Sequence, residues 1–286
     1  MSTNIDASSL EEHVNAQAAR SRPEWSVRLA IVFLILVAVA AALAPWISPH
    51  DPLATDASDR LANPSLAHLL GTDPSGRDVL SRTIYGAHSA FLGTGIAVLT
   101  MLVIGVPWGL LGGLGGSAAD QALMRLADAF LAVPGLVLAV AITAVLGPGL
   151  TTSMIAVGIV FAPSVAILLR ASLVPLRRAE YVLVARSLGS GRVSTAFRHS
   201  LPNAFAPVLV QVCSLASICL IIQASLGFLG LGEQPPNPGW GTDLAQAYTF
   251  FTVAPVATLV PGLVTTLCAF SLSRLGDGVR SVLDVG

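Results

Sequence analysis

Residues Phe91 to Gly116 read FLGTGIAVLTMLVIGVPWGLLGGLGG. No Asp, Glu, Lys or Arg interrupts them. The run is long enough to cross a bilayer as one helix, for which about 20 apolar residues suffice. Three further uncharged runs follow: Ala129 to Leu169, His199 to Gly232 and Leu244 to Ser273. The 286-residue chain matches them in composition, with 54% hydrophobic residues, 11% charged and a net charge of −1. Its mean hydropathy is +0.77. A soluble domain carries about 25% charged residues, so this scarcity of charge excludes a soluble enzyme, an all-β sandwich and a disordered chain. It also argues against an outer-membrane barrel, whose strands alternate in short segments. A near-neutral charge balance offers no basic face to nucleic acid.

Working outward from that run, an all-α polytopic protein with six transmembrane helices is predicted. The first span covers 27–47 and is ended by Pro45 and Pro49. No A-x-A site follows it, so it reads as a retained span rather than a cleaved signal. The second runs from about Ser89 to Leu114 and the third from about Ala122 to Leu146, where Gly147-Pro148-Gly149 forces a reversal. The fourth covers about Thr151 to Val174, the fifth Ala204 to Leu229 and the sixth Val253 to Leu275.

Arginine placement sets the orientation, because cytoplasmic loops collect positive charge. With the N-terminus inside, Arg20, Arg22, Arg28, Arg125, Arg170, Arg177, Arg178, Arg186, Arg192, Arg198, Arg274 and Arg280 are cytoplasmic, and only Arg60, Arg77 and Arg82 are external. Both termini are therefore expected in the cytoplasm. The expected organisation is a cytoplasmic tail (1–26), the first span (27–47), an extracytoplasmic loop (48–88), a five-helix core (89–275) containing a cytoplasmic loop at 175–203, and a cytoplasmic tail (276–286).

Within the spans, Gly105, Gly109 and Gly113 repeat at i+4, a spacing that lets two helix backbones approach closely. Cys213, Cys219 and Cys268 lie in apolar runs without CxxC spacing and read as small core residues. Arg125 and Asp128 are placed for a local i, i+3 ion pair. Trp240, behind Pro235-Pro236-Asn237-Pro238-Gly239, suits a membrane interface. His88 and His199 have no second ligand nearby in sequence, so no metal site is expected.

The cytoplasmic loop carries the strongest local pattern. Glu180 to Leu188 reads as a short helix with Gly189 as its C-cap, and Ser190 is placed to cap a second one. In that second helix Val193, Ala196 and Phe197 share a face at i, i+3, i+4, while Arg192 and Arg198 point elsewhere. Pro202 ends it. An apolar knob rimmed by arginines fits a groove on a partner protein. It equally fits a helix lying on anionic headgroups, and the residues alone do not choose between the two.

Glu180-Tyr181-Val182, Ala185-Arg186, Gly189 and Arg198-His199-Ser200-Leu201-Pro202-Asn203 resemble the EAA loop of bacterial ABC importer permeases, with Leu183 and Val184 standing where the family has Glu and Ala. Leu70-Gly71-Thr72-Asp73-Pro74-Ser75-Gly76-Arg77-Asp78-Val79-Leu80-Ser81-Arg82 looks like the segment before the second span in the dipeptide/oligopeptide/nickel subfamily. Asp120 to Asp128 with Pro134, Ser225 to Gly232 with Trp240-Gly241, and Leu275 to Arg280 with Leu283-Asp284 are similar to three further segments of that subfamily, in the same order.

The resemblance implies a type I importer permease of the dipeptide "C" kind in the bacterial inner membrane. Its partners would be a second homologous permease subunit in a heterodimer, two cytoplasmic ABC ATPase subunits or one fused ATPase, and an external solute-binding protein that delivers a peptide. Glu180, Ala185, Arg186, Gly189, Ser190, Arg192, Val193, Phe197, His199 and Pro202 would form the ATPase-docking loop, with the second short helix as the coupling helix. Nothing in the chain resembles GxxxxGK[ST]. No cofactor is therefore expected in it, and ATP and Mg belong on the partner ATPases.

On the fifth span, Gln211, Gln223 and Ser225 either line the pathway or bond a neighbouring helix. The spans lack the mid-membrane acids and histidines of ion-coupled carriers and the residues of an intramembrane protease. No internal repeat supports a stand-alone channel or carrier. Dipeptides or short oligopeptides are the leading substrates, with nickel chelates, glutathione or haem as alternatives.

Overall fold

A computed structural model describes residues 24–176 and 201–283. Among these residues the regular elements are helices: α1 (Glu24–Ala42), α2 (Ala44–Ile47), α3 (Val79–Leu114), α4 (Ser117–Leu131), α5 (Gly135–Leu146), α6 (Leu150–Leu176), α7 (Leu201–Phe228), α8 (Trp240–Ala247) and α9 (Pro255–Leu283). A 3-10 turn, Tyr248–Phe250, follows α8. The extended backbone contributes one isolated antiparallel bridge, Thr72 to Asp78.

Five helices are long and apolar enough to cross a membrane, and a sixth span exists if α4 and α5 are taken together. Those two are bent by 92°, so the stretch expected as the third span, Ala122 to Leu146, is not one continuous helix. Pro134 is the cause. A proline disfavours the α conformation in the residue before it, and Pro134 itself is extended, with ψ 126°. Helix α4 therefore stops at Leu131, and α5 restarts at Gly135. Uniform hydropathy across this stretch hides a change of character: α4 is amphipathic, whereas α5 is apolar on all sides.

Two helices overrun the spans predicted for them. Helix α3 begins at Val79 rather than near Ser89, because Asp78 caps it and its carboxylate accepts the Ser81 N–H at 2.8 Å. Its 36 residues make a rod about 54 Å long at 1.5 Å per residue. Helix α9 continues to Leu283 through Gly276 and Gly278.

The closest helix pair is α3 with α6. A methyl group on Gly105 would sit 2.6 Å from the Ala162 carbonyl oxygen, one on Gly109 2.8 Å from that of Ala166, and one on Gly113 2.9 Å from Leu173 Cδ1. From the other side Gly158 fits against Ala97 and Thr100. The glycine stripe is a packing seam. Around it lie two buried clusters. The first joins Met101, Val165, Leu169 and Leu173 to Ala204, Val208 and Val212 of α7. The second joins Ala97, Met154 and Val157 to Cys219 and Leu226. Because Leu173 and Ala204 share the first cluster, the two helix ends that flank 177–200 meet.

Helix α1 is peripheral. Ala30 and Leu34 are buried, while Leu29, Val32, Ile35 and Leu36 are exposed. Such an apolar surface suits lipid better than water. It docks on α9 where Val27 lies over Gly278, and Phe33 and Val37 pack on a cluster containing Trp240, Cys268 and Ala269.

Candidate functional site

A groove of about 750 Å³ opens between α7 and α9. Ser217, Ile221, Ser225 and Phe228 of α7 form one wall, and Thr265, Thr266 and Phe270 of α9 the other. Leu136, Trp240 and Leu244 contribute from neighbouring elements. None of the residues lining it is charged. Four of its five hydroxyls are tied to their own helices: Ser217 donates to the Ser214 carbonyl at 2.7 Å, Ser225 to the Ile221 carbonyl at 2.9 Å, and Thr265 and Thr266 to those of Pro261 and Gly262 at 2.8 Å each. A hydroxyl bonded this way still offers acceptor lone pairs and can rotate to donate. The groove therefore presents adjustable hydrogen-bonding groups on an apolar wall. That suits a polar solute without net charge, since any backbone-like amide there needs partners that lipid lacks.

Of the three pathway candidates on α7, Ser225 lines this groove. Gln223 faces the opposite way, towards α3: its Nε2 donates to the Ser89 carbonyl at 2.8 Å, and Thr94 donates to its Oε1 at 3.4 Å. Gly93 makes room for that amide, which a methyl there would meet at 2.7 Å. Gln223 is thus a tie between helices. Gln211 is half-buried on α7 and does not line the groove.

Next in sequence to the groove residues Trp240 and Leu244, Asp243 belongs to a polar clamp. Within Leu70 to Asp78, the left-handed Gly71 and Gly76, at φ 75° and 78°, turn the chain tightly. At both positions a side chain would strike backbone atoms of the same loop. The turn aims Asp73 at its own segment, where it accepts the N–H groups of Ser75 and Arg77 at 2.7 and 3.0 Å and the Arg77 Nε at 2.6 Å.

Arg82 is only 2% exposed. Its Nε donates to Asp243 at 3.0 Å and its Nη1 to the carbonyls of Pro52 at 2.9 Å and Pro236 at 3.2 Å. Its Nη2 donates to the Asn237 carbonyl at 3.3 Å and also to Asp243. Arg77 reaches Gln246. Burial pushes the Asp243 carboxyl up to about 6, against the opposing pull of the Arg82 guanidinium. Trp240 is not an interfacial anchor. It is buried against Gly86 and donates its ring N–H to the Thr83 carbonyl at 3.0 Å. Helix α8 is thereby fastened to the first turns of α3.

At the opposite end of α3, Arg170 and Asp120 form a two-bond pair, one bond from Nη2 to Oδ2 at 2.7 Å and the other from Nε to Oδ1. The expected pair of Arg125 with Asp128 is not among the ion pairs of the described residues. The sequence signal for the pair that does form is an arginine late in one apolar run and an acid at the start of the next amphipathic one. The partner choice is not written in either segment. Glu180, Ala185, Arg186, Gly189, Ser190, Arg192, Val193, Phe197 and His199 lie outside the described residues, and Pro202 falls in the first turn of α7.

A helical membrane protein with an uncharged groove between two spans, beside a buried ion network, has the build of a transport subunit. The comparisons define it further. Residues 105–283 match the family described as the binding-protein-dependent transport system inner membrane component, and residues 27–64 match the N-terminal transmembrane domain of oligopeptide transport permease C. The chain belongs to the binding-protein-dependent transport system inner membrane components.

Among its relatives is the di/tripeptide transport system permease protein DppC of Pseudomonas aeruginosa, 40% identical over 89% of this chain and 86% of that one. The dipeptide permease DppC of Alkalihalophilus pseudofirmus is 37% identical over 90% and 86%, and the glutathione permease GsiD of Pectobacterium atrosepticum 36% over 92% and 87%. In fold it is similar to a chain of the MetNI methionine ABC transporter in inward-facing conformations, with a TM-score of 0.55 and 18% identity over 69% of this chain and 96% of that one.

Proposed function

We propose that the chain is one of two permease subunits of an ATP-driven importer for dipeptides and short oligopeptides, and that the groove between α7 and α9 is its half of the pathway. The groove itself carries this reading. It is uncharged, with hydroxyls set in an apolar wall, and Ile221, Leu263 and Phe270 in or beside it are exposed, as expected where a second subunit completes a channel. The substrate class is supported by the curated relatives that carry peptide-transport names.

In this reading the α4–α5 pair is the third of six spans, and both termini are cytoplasmic. The loop at 175–203 docks an ATPase through its second short helix, with Phe197 and Val193 as the knob and Gly189 as the hinge between the two. ATP and Mg are bound by the ATPase partners. An external binding protein delivers the peptide against the side held by the Arg82 clamp. Glutathione is a second reading with a specific support, the 36% identity to GsiD.

Purification in mild detergent followed by reconstitution tests the proposal. We expect a second permease and two ATPase domains to co-purify, and uptake of labelled dipeptide to require ATP and the cognate binding protein. Recovery of this chain alone, or a solute flux independent of ATP, overturns it. A glutathione flux exceeding the dipeptide flux selects the second reading.

A further inference from the structure

The segment between α2 and α3 brings three turns together on one carboxylate. Asp78 is buried, and its Oδ2 is engaged by Ser81, accepting the N–H at 2.8 Å and the hydroxyl at 2.7 Å. Its Oδ1 faces two imidazoles instead. Nδ1 of His68 is 2.9 Å away, and Nδ1 of His50 is 3.8 Å away. The first distance is a hydrogen bond, and the second is too long for one. The two rings lie with centroids 4.6 Å apart. His50 is anchored by its backbone N–H, which donates to the Ser81 hydroxyl at 3.1 Å. One ligand atom from each of the three residues lies within 4.8 Å of the others.

We propose that His50, His68 and Asp78 bind a borderline divalent metal ion, Zn2+ foremost. A tetrahedral Zn2+ with nitrogen and oxygen ligands at about 2.0–2.2 Å holds those atoms roughly 3.3–3.5 Å apart. The two separations from Asp78 Oδ1, 2.9 and 3.8 Å, bracket that spacing, the imidazole nitrogens lie within 4.8 Å of each other, and the His50 side chain, 40% exposed, is the one that would adjust. Two imidazoles and one carboxylate suit Zn2+, Ni2+ or Cu2+, whereas Ca2+ and Mg2+ require mostly oxygen. The ion would replace the His68–Asp78 hydrogen bond and offset the buried negative charge. Asp59, whose Oδ2 is 3.7 Å from His68 Nε2, is placed to orient that ring from its far edge, as carboxylates behind metal-bound histidines do. Three protein ligands leave a fourth position to water on the open side. Bound metal would staple the turn after α2, the loop ahead of Gly71 and the first turn of α3. The site does not depend on the substrate or on which side of the membrane the loop faces.

The test uses the full chain, purified in mild detergent with a histidine-free tag and titrated with Zn2+ against a chromophoric chelator. One Zn2+ per chain is expected, weakened at least about tenfold by His50→Ala and by His68→Ala, unchanged by His88→Ala and not displaced by Mg2+. Zn2+ should also raise the thermal midpoint of the wild type but not of the His50→Ala/His68→Ala double variant. His50→Ala alters a half-exposed residue, so its folding is checked independently by the metal-free midpoint. Equal Zn2+ binding by wild type and double variant, or none by either, overturns the proposal.

Discussion

Arg82 places a guanidinium in a nearly dry site with two acids, Asp243 and Asp73, and three backbone carbonyls around it. Removing it leaves Asp243 buried without its partner, and breaking such a pair from one side costs about 3–5 kcal/mol. Arg82→Met should therefore lower the thermal midpoint of the detergent-solubilised chain sharply, and far more than Arg60→Met, whose guanidinium is exposed. Asp243 adds a pH signature. Its carboxyl titrates near 6 in the folded chain against an ordinary 3.8, so between about pH 4 and 6 the folded state keeps a proton that the unfolded state has lost. The Asp243 contribution to stability is then greatest at the acid end. It falls as pH rises through that window, by at most about 1.4 kcal/mol per unit, and is flat above it. Melts of wild type and Asp243→Asn across pH 4–8 should converge in slope only above pH 6. At the groove, Ser225→Trp should abolish peptide uptake without moving the thermal midpoint. Uptake at the wild-type rate would remove Ser225 from the path.

At the scale of helices, the seam between α3 and α6 is set by residues without side chains. Gly109→Val would drive a branched side chain into the Ala166 carbonyl, which already lies 2.8 Å from where a single methyl would sit. Overpacking of this kind costs about 1–3 kcal/mol, so a lowered midpoint is expected, while Gly95→Val, where nothing lies nearby, should be silent. That seam could be read in advance, because an i+4 glycine repeat is a local pattern. So could the apolar helices, from charge-free runs alone. That Pro134 can kink its span is legible too, but that it breaks the helix is not, because hydropathy averages over it and proline also lies inside unbroken helices such as α6. Arg82 with Asp243 and Arg170 with Asp120 were out of reach for another reason: the partners are 161 and 50 residues apart, and pairing at that separation is decided by how helices stack. Gln223 and Ser225 make the same point over two residues. Both are polar on one apolar helix, and only the packing of α7 decides that one ties to α3 while the other meets the groove.

For the molecule as a whole, the proposed ATPase-docking loop lies where the facing ends of α6 and α7 meet. Phe197→Asp and Gly189→Val should leave insertion and assembly intact but uncouple ATP hydrolysis from uptake, read as ATPase turnover in proteoliposomes without accumulation of dipeptide. Normal uptake in Phe197→Asp would remove the docking role. Helix α3 is the element that joins the two ends of the molecule. It is one continuous helix whose first turns are gripped by Asp78, Trp240 and Arg82, and whose last turns lie beside Arg170 and Asp120. Pro107 is the one proline within it. A rod held at both ends keeps the two polar networks, one at each end, in a fixed relation to each other. The glycine seam against α6 falls in the last three turns of this helix, so its closest packing and its Arg170–Asp120 network share one end.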